Sequence, residues 1–215
     1  MASYDVVGIW VVFYILMGYA WICGGVFMME CLDLSWPFDA VHLDNKAAVF
    51  PAAGGFVGVT LIYAGATQGM DRLVGCPICR RTGVNYLLGL ALVINLLTDI
   101  SERVSVDRDM GSGIRFGAYL IASSLILAYA SGGDWTSTQA TLMEFSVGWS
   151  CASLYAVFSC GGVVLHTSVP FPCGQRLQAN ILPSVLWGFI YLVYAGIVLL
   201  IFHGIPERIS GGVLL

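Results

Sequence analysis

The sequence predicts an all-α protein, a polytopic bundle of about six transmembrane helices that forms one domain over residues 1–215. Hydrophobic residues make up 58% of the chain, charged residues only 10%, and the mean hydropathy is +0.85. Residues 140–203 carry one acid, Glu144, and one arginine, Arg176. Apolar runs of this length become helices in lipid, because the backbone polar groups must bond within the segment. These observations place the chain in a bilayer.

Six apolar runs supply the predicted spans. They cover residues 6–29, 47–69, 84–100, 116–132, 140–165 and 181–203. No cationic region precedes the first run, so we expect a retained span and not a cleaved signal peptide. The third run has about 17 residues, which is the lower limit for a spanning helix. Five spans plus a re-entrant segment are therefore the alternative, and six spans are preferred because a lone re-entrant segment is rarer.

Charged residues concentrate in the connections between the runs. The connection 30–46 is acidic, the connection 70–83 carries three arginines, and residues 101–115 carry both signs. We expect the first and the last of these to lie outside lipid, in contact with partners or water. Because no basic block occurs, nucleic acid is not an expected partner.

Small residues form stripes on two of the predicted spans. The stripe on one face of the second span consists of Gly54, Gly58, Gly65 and Gly69. The stripe on the fifth span consists of Gly148, Ala152 and Ala156. Such stripes let helix backbones approach closely in lipid. We prefer packing within this chain as the interpretation, and a docking face for another subunit is the alternative.

The segment Cys76-Pro77-Ile78-Cys79 is the sharpest local motif. Two cysteines at this spacing can form a redox pair or half of a zinc site. No further ligands lie nearby in sequence, so the preferred interpretation is a turn with incidental cysteines. No metal, no other cofactor and no catalytic residue is predicted, although bound lipid is expected.

Glu144 and Arg176 are the ionisable groups closest to the long apolar block. We expect both at the membrane interface, where long side chains reach the headgroups, and an ion path is the alternative role.

The stretch Arg176-Leu177-Gln178-Ala179-Asn180, with Pro170 upstream, resembles the Arg-Leu-x-Ala-Asn stretch of rotary ATP synthase subunit a. In that family the arginine separates two proton half-channels, and the resemblance implies this role for Arg176. The family's later long helix and its proton-carrying acid have no counterpart here, because Glu207 lies in a short tail. We assign no family on these five residues.

Three functions are compatible with the sequence. The preferred one is a non-catalytic subunit with a structural or assembly role in a larger membrane complex, such as a respiratory or ATP synthase complex. Its partners are then other membrane subunits and lipid, in a mitochondrial inner or bacterial cytoplasmic membrane. A transporter, channel or proton-translocating subunit is the alternative, and a thiol-redox enzyme using Cys76 and Cys79 is the third. The polar groups available to line a path are sparse. They are Asn85, Asn95, Thr60, Gln68 and Ser150.

Overall fold

The computed structural model describes residues 8–68, 75–131, 148–154 and 181–203. The described residues are helical apart from short turns, which confirms the predicted helical bundle. The long helices are α1 (Ile9–Cys31), α2 (Lys46–Gln68), α3 (Gly75–Thr98), α5 (Met110–Ser131) and α6 (Ile181–His203), with a short α4 (Ile100–Ser105). A π-helix, Trp36–His42, connects α1 to α2, and residues 148–154 are also helical.

Four of these helices are long and apolar enough to cross a membrane. The crossing segments are Val11–Cys31, Lys46–Gly65, Met110–Ala130 and Ile181–Ile201, and α3 contributes a shorter apolar part, Gly83–Thr98. The chain is therefore an integral membrane protein. Most of the predicted span 140–165 lies outside the described residues.

Two helices begin earlier than the sequence predicts. The α3 helix begins at Gly75 and not near residue 84, so the Cys76–Cys79 segment is its first turn and not a connection. Proline is tolerated there because the first turn needs no N–H from it. The α5 helix begins at Met110 and not at residue 116, so the end of the charged stretch 101–115 belongs to the bundle.

The α5 helix lies at the centre of the described bundle. Of its apolar window 72% is buried, compared with 50% for α2, 28% for α6 and 12% for α1. It packs most extensively against α2 and next against α6. The core therefore forms around α5, and α1 stays mostly on the outside.

Backbone-to-backbone contact joins α2 to α5. A Cβ atom built on Gly54 would lie 2.6 Å from the Gly117 carbonyl oxygen, and one on Gly117 would lie 2.5 Å from the Phe50 carbonyl oxygen. Gly65 meets the backbone of Ala128 in the same way. Both residue numbers rise along the contact, so α2 and α5 run parallel. Close packing of this kind drives helix association in lipid, where exclusion of water contributes little.

The parallel course of α2 and α5 determines the path of α3. A re-entrant third segment would return the chain to the end where α2 finishes, and α5 would then run antiparallel to α2. The glycine contacts show the opposite orientation. The α3 helix has 24 residues, about 36 Å at the usual rise, and so carries the chain from one end of the bundle to the other.

The described chain up to residue 131 contains two copies of one arrangement. In each unit a long helix leads through a short helical segment into a second long helix: α1, π-helix, α2, and then α3, α4, α5. A left-handed residue ends the first long helix, Asp33 (φ 56°) in one unit and Asp99 (φ 49°) in the other. A second left-handed residue stands two positions before the next long helix, Asp44 (φ 47°) and Arg108 (φ 52°). The two units therefore share left-handed backbone at two corresponding places.

Candidate functional site: a buried arginine at the capped end of the bundle

The capped end is the end of the bundle at which α2 and α5 begin. Asn45 and Asp109 stand at equivalent positions immediately before these helices. The Asn45 side-chain oxygen accepts the Ala47 N–H (3.1 Å), and an Asp109 oxygen accepts the Gly111 N–H (2.9 Å). Each side chain thus satisfies an N–H group that the first helical turn leaves without a partner.

Asn45 also joins the two units. Its amide nitrogen donates to the carbonyl oxygens of Val104 (2.8 Å) and Ser105 (3.3 Å), at the C-terminal end of α4. The side chain is 2% exposed. One buried amide therefore caps α2 and satisfies the last carbonyls of α4, which fixes the two units relative to each other at the capped end.

The predicted loop between α1 and α2 is likewise part of the packed structure. Asp39 is buried in the π-helix, and its carboxylate accepts the Ser35 N–H at 2.9 Å. Trp36 packs edge-on against Phe56 of α2, with ring centroids 6.0 Å apart. The acidic connection 30–46 is therefore held on the bundle and is not a free loop.

Arg115 is the charged side chain that sequence reasoning missed. It lies in the second turn of α5 and is 3% exposed. Its Nε donates to the Gly111 carbonyl oxygen at 3.3 Å, so the guanidinium points back toward the capped end. Its Nη1 has no hydrogen-bond partner among the described residues. An ionisable group inside a membrane helix is costly and marks a functional site by default.

Asp109 is an acid that acts electrostatically on Arg115, but both its oxygens accept hydrogen bonds at the start of α5. One accepts the Gly111 N–H, and the other accepts the Ser112 hydroxyl at 2.7 Å. Asp109 attracts the guanidinium electrostatically, and Arg103 repels it. No ion pair to Arg115 occurs in the described parts of the chain, so its charge is only partly compensated.

The α6 helix packs against the face of α5 that carries Ile114 and Ala118, close to Arg115. A Cβ built on Gly188 would lie 3.2 Å from the Ala118 side chain and 3.9 Å from the Ile114 side chain, and farther along α6 residues 193–200 lie beside Tyr129. The α6 helix therefore runs parallel to α5, and its own start also lies at the capped end. Ser184, one turn before Gly188, is 1% exposed, and its Oγ has no partner among the described residues.

A second polar contact holds residues 148–154 against α3. The ring of Tyr86 stacks on Trp149, with centroids 4.6 Å apart, and its hydroxyl donates to the Trp149 carbonyl oxygen (3.2 Å). The same hydroxyl hydrogen-bonds Ser153, which in turn donates to the Trp149 carbonyl oxygen at 2.8 Å. This contact could not be predicted from the sequence, because no spacing rule links residues so far apart.

The structure brings part of the predicted small-residue stripes into one interface. Gly54, Gly58 and Gly65 face α5, and Gly58 meets Ser124 and Leu120 there. Gly148 and Ala152 are buried in the stretch 148–154. Gly69 and Ala156 lie outside the described residues.

Among the described side chains, the remaining candidate residues do not assemble into a site. Glu144 and Arg176 lie outside the described residues, and for Cys76 and Cys79 only the helical backbone is described. Of the candidate path residues, Asn85 and Thr60 are exposed, and Thr60 donates to its own helix at Phe56. Asn95 accepts the Ser101 N–H at the start of α4.

The protein is a multi-pass integral membrane protein built on an internal repeat. Its parallel helices, its two repeated units and its buried arginine define this class. Residues 3–131 match the family described as Domain of Unknown Function (DUF350). The match covers more than half of the chain, and the protein belongs to this family. It takes in both repeated units and stops at the end of α5, so α6 lies beyond it. No curated protein and no solved structure matches the chain.

Proposed function

We propose that the protein is a non-catalytic subunit of a larger membrane complex, in which the α2–α5–α6 core is a rigid scaffold and α6 receives another membrane helix. The partners in this proposal are other membrane subunits and lipid. The backbone contacts between α2 and α5 support the scaffold, because such contacts leave little freedom for movement between helices.

An apolar groove between α5 and α6 supports the docking of another helix. The groove opens to the outside of the described bundle, and its lining is almost entirely apolar. It is lined by Tyr129, Val193, Gly196, Ile197, Leu199 and Leu200. Ridges of one helix pack into grooves of another at this scale, so a helix of a second subunit fits it.

The open space beside Gly196 is the observation that carries the proposal. A Cβ built on this glycine would meet no atom of the described residues within 4 Å, whereas Gly54, Gly65, Gly113 and Gly117 each face a backbone of the same chain. Glycine in a helix interior costs up to about 1 kcal/mol relative to alanine, and close approach of another backbone offsets that cost. In the groove the described chain supplies no such backbone, which favours one from a partner.

The test is the size and composition of the complex after gentle detergent extraction. We expect wild-type protein to migrate on a native gel as a hetero-complex well above its own 23.1 kDa. Gly196→Leu fills the groove without an internal clash, so it should release the partner and leave the thermal midpoint of the subunit unchanged. Gly89→Leu is the matched control, because a Cβ on Gly89 likewise meets open space among the described residues but lies on α3.

Two results would contradict the proposal. One is a wild-type protein that extracts alone from its native membrane, whether bacterial cytoplasmic or mitochondrial inner. The other is equal loss of the partner in Gly196→Leu and Gly89→Leu, which would assign no role to the groove.

A further inference from the structure

Arg115 carries a positive charge that the described structure leaves incompletely paired. The guanidinium stays protonated in proteins, and burial removes it from water. Its Nε has a carbonyl partner, its Nη1 has none, and the nearby carboxylate of Asp109 is held by the start of α5. A buried cation without an ion pair among the described residues favours the binding of an anion.

A second donor lies on α6 at the same end of the bundle. Ser184 Oγ is buried and lacks a partner among the described residues. Gly188, one turn later, lies level with Ile114 and Ala118, so Ser184 lies level with the first turn of α5. The guanidinium points toward this level because Nε bonds the Gly111 carbonyl. Two unpartnered, buried donors thus lie at the same level of the bundle, one on α5 and one on α6, at the capped end.

The electrostatic field at this end also favours an anion. The α2, α5 and α6 helices run parallel, so their positive dipole ends lie at the same end of the bundle. Asn45 and Asp109 satisfy the first N–H groups of two of these helices, so the guanidinium and the serine hydroxyl remain as direct donors. A planar guanidinium fork with an added hydroxyl suits a tetrahedral oxyanion with several acceptor oxygens.

We propose that Arg115 and Ser184 bind a phosphate group between the first turns of α5 and α6. Arg115 is five residues into α5, about 7.5 Å from its start by the helical rise, which is close to the depth of a lipid headgroup. Two sources share this chemistry: the phosphodiester of an anionic phospholipid and free inorganic phosphate. Basic pockets between transmembrane helices bind headgroups of the first kind. This site is independent of the groove at Gly196, which lies toward the other end of α6.

The experiment measures the thermal unfolding midpoint of the full chain in a phosphate-free sugar detergent, with tryptophan fluorescence as the readout. One arm adds short-chain phosphatidylglycerol, and its control adds diacylglycerol with the same acyl chains. The other arm adds inorganic phosphate, and its control adds chloride at matched ionic strength. Saturation of a specific site should raise the midpoint by about 5–10 °C in the arm that holds the true ligand.

Variants locate the effect. Arg115→Gln should abolish the rise, and Arg115→Lys should weaken binding, because lysine keeps the charge without the fork. Ser184→Ala should weaken binding about tenfold, as expected for one lost hydrogen bond to a charged group. Ser123→Ala is the matched control, since Ser123 is equally buried and unpartnered among the described residues but lies two turns deeper on α5.

Each outcome decides the proposal. A rise with phosphatidylglycerol alone identifies a lipid headgroup site, and a rise with inorganic phosphate identifies a free phosphate site. No rise in either arm, or an equal rise in Ser184→Ala and wild type, overturns the proposal. If Arg115→Gln does not fold, native mass spectrometry of wild-type protein still decides, because retention of a phospholipid or phosphate adduct that Ser184→Ala loses supports the site and its absence refutes it.

Discussion

Alanine at Gly117 should force α2 and α5 apart. The new Cβ would lie 2.5 Å from the Phe50 carbonyl oxygen, and ordinary contact begins near 3.4 Å, so the helices must separate by about 0.9 Å. The opposing atom is backbone and cannot rotate away, which places the overpacking cost near the upper end of the usual range, about 3 kcal/mol. Alanine regains about 1 kcal/mol of helix propensity. The net loss of about 2 kcal/mol should lower the thermal midpoint by about 4–8 °C.

The matched control is Gly89→Ala on α3. A Cβ there meets no atom within 4 Å, so only the gain in helix propensity remains, and the midpoint should stay unchanged or rise by about 2–4 °C. Both variants are measured by tryptophan fluorescence during heating in the same detergent. The reasoning fails if Gly117→Ala melts at or above wild type, since the two backbones could not then be in direct contact.

Two further substitutions test the junctions at either side of the core. Asn45→Ala should cost about 2–3 kcal/mol of unfolding free energy, because it removes a helix cap and leaves the Val104 carbonyl unsatisfied. Asn45→Asp keeps the cap but turns a carboxylate oxygen, which cannot donate, toward the Val104 and Ser105 carbonyl oxygens, so it should lose at least as much, and an unchanged melting curve in both would refute the junction. Tyr86→Phe should cost about 1 kcal/mol by losing the hydroxyl bond to Trp149 while keeping the ring stack, and a loss as large as that of Tyr86→Ala would contradict the assigned hydrogen bond.

The apolar runs were enough to predict a helical membrane bundle, but not where α5 begins. Met110-Gly111-Ser112-Gly113 has the composition of a loop, since glycine and serine are weak helix formers. The structure shows that Gly113 is needed for contact with the Ala47 backbone. Asp109, a cap residue directly before this stretch, was the available signal for the helix start. Because the start was missed, Arg115 was assigned to a solvated loop.

The internal repeat could not be predicted because its two units share conformation and not residue identity. Left-handed backbone falls on aspartate at Asp33, Asp44 and Asp99, but on arginine at Arg108. The caps are likewise asparagine in one unit and aspartate in the other. Aspartate and asparagine tolerate left-handed backbone better than most residues, so only part of the pattern leaves a trace in composition. The small-residue stripe was more informative, since the backbone contact it requires depends on side-chain size alone.

The two units differ at one buried position, and packing alone does not require this difference. When the caps Asn45 and Asp109 are aligned, Arg115 of the second unit falls opposite the buried Pro51 of the first. A buried proline serves packing, whereas a buried arginine adds a desolvated charge that packing alone does not require. The second unit is also the one that α6 covers, through Gly188 on Ile114 and Ala118. The charge therefore lies where the repeat meets the additional helix, which is why we place the functional difference between the units at this contact and not in the tightly packed seam of α2 and α5.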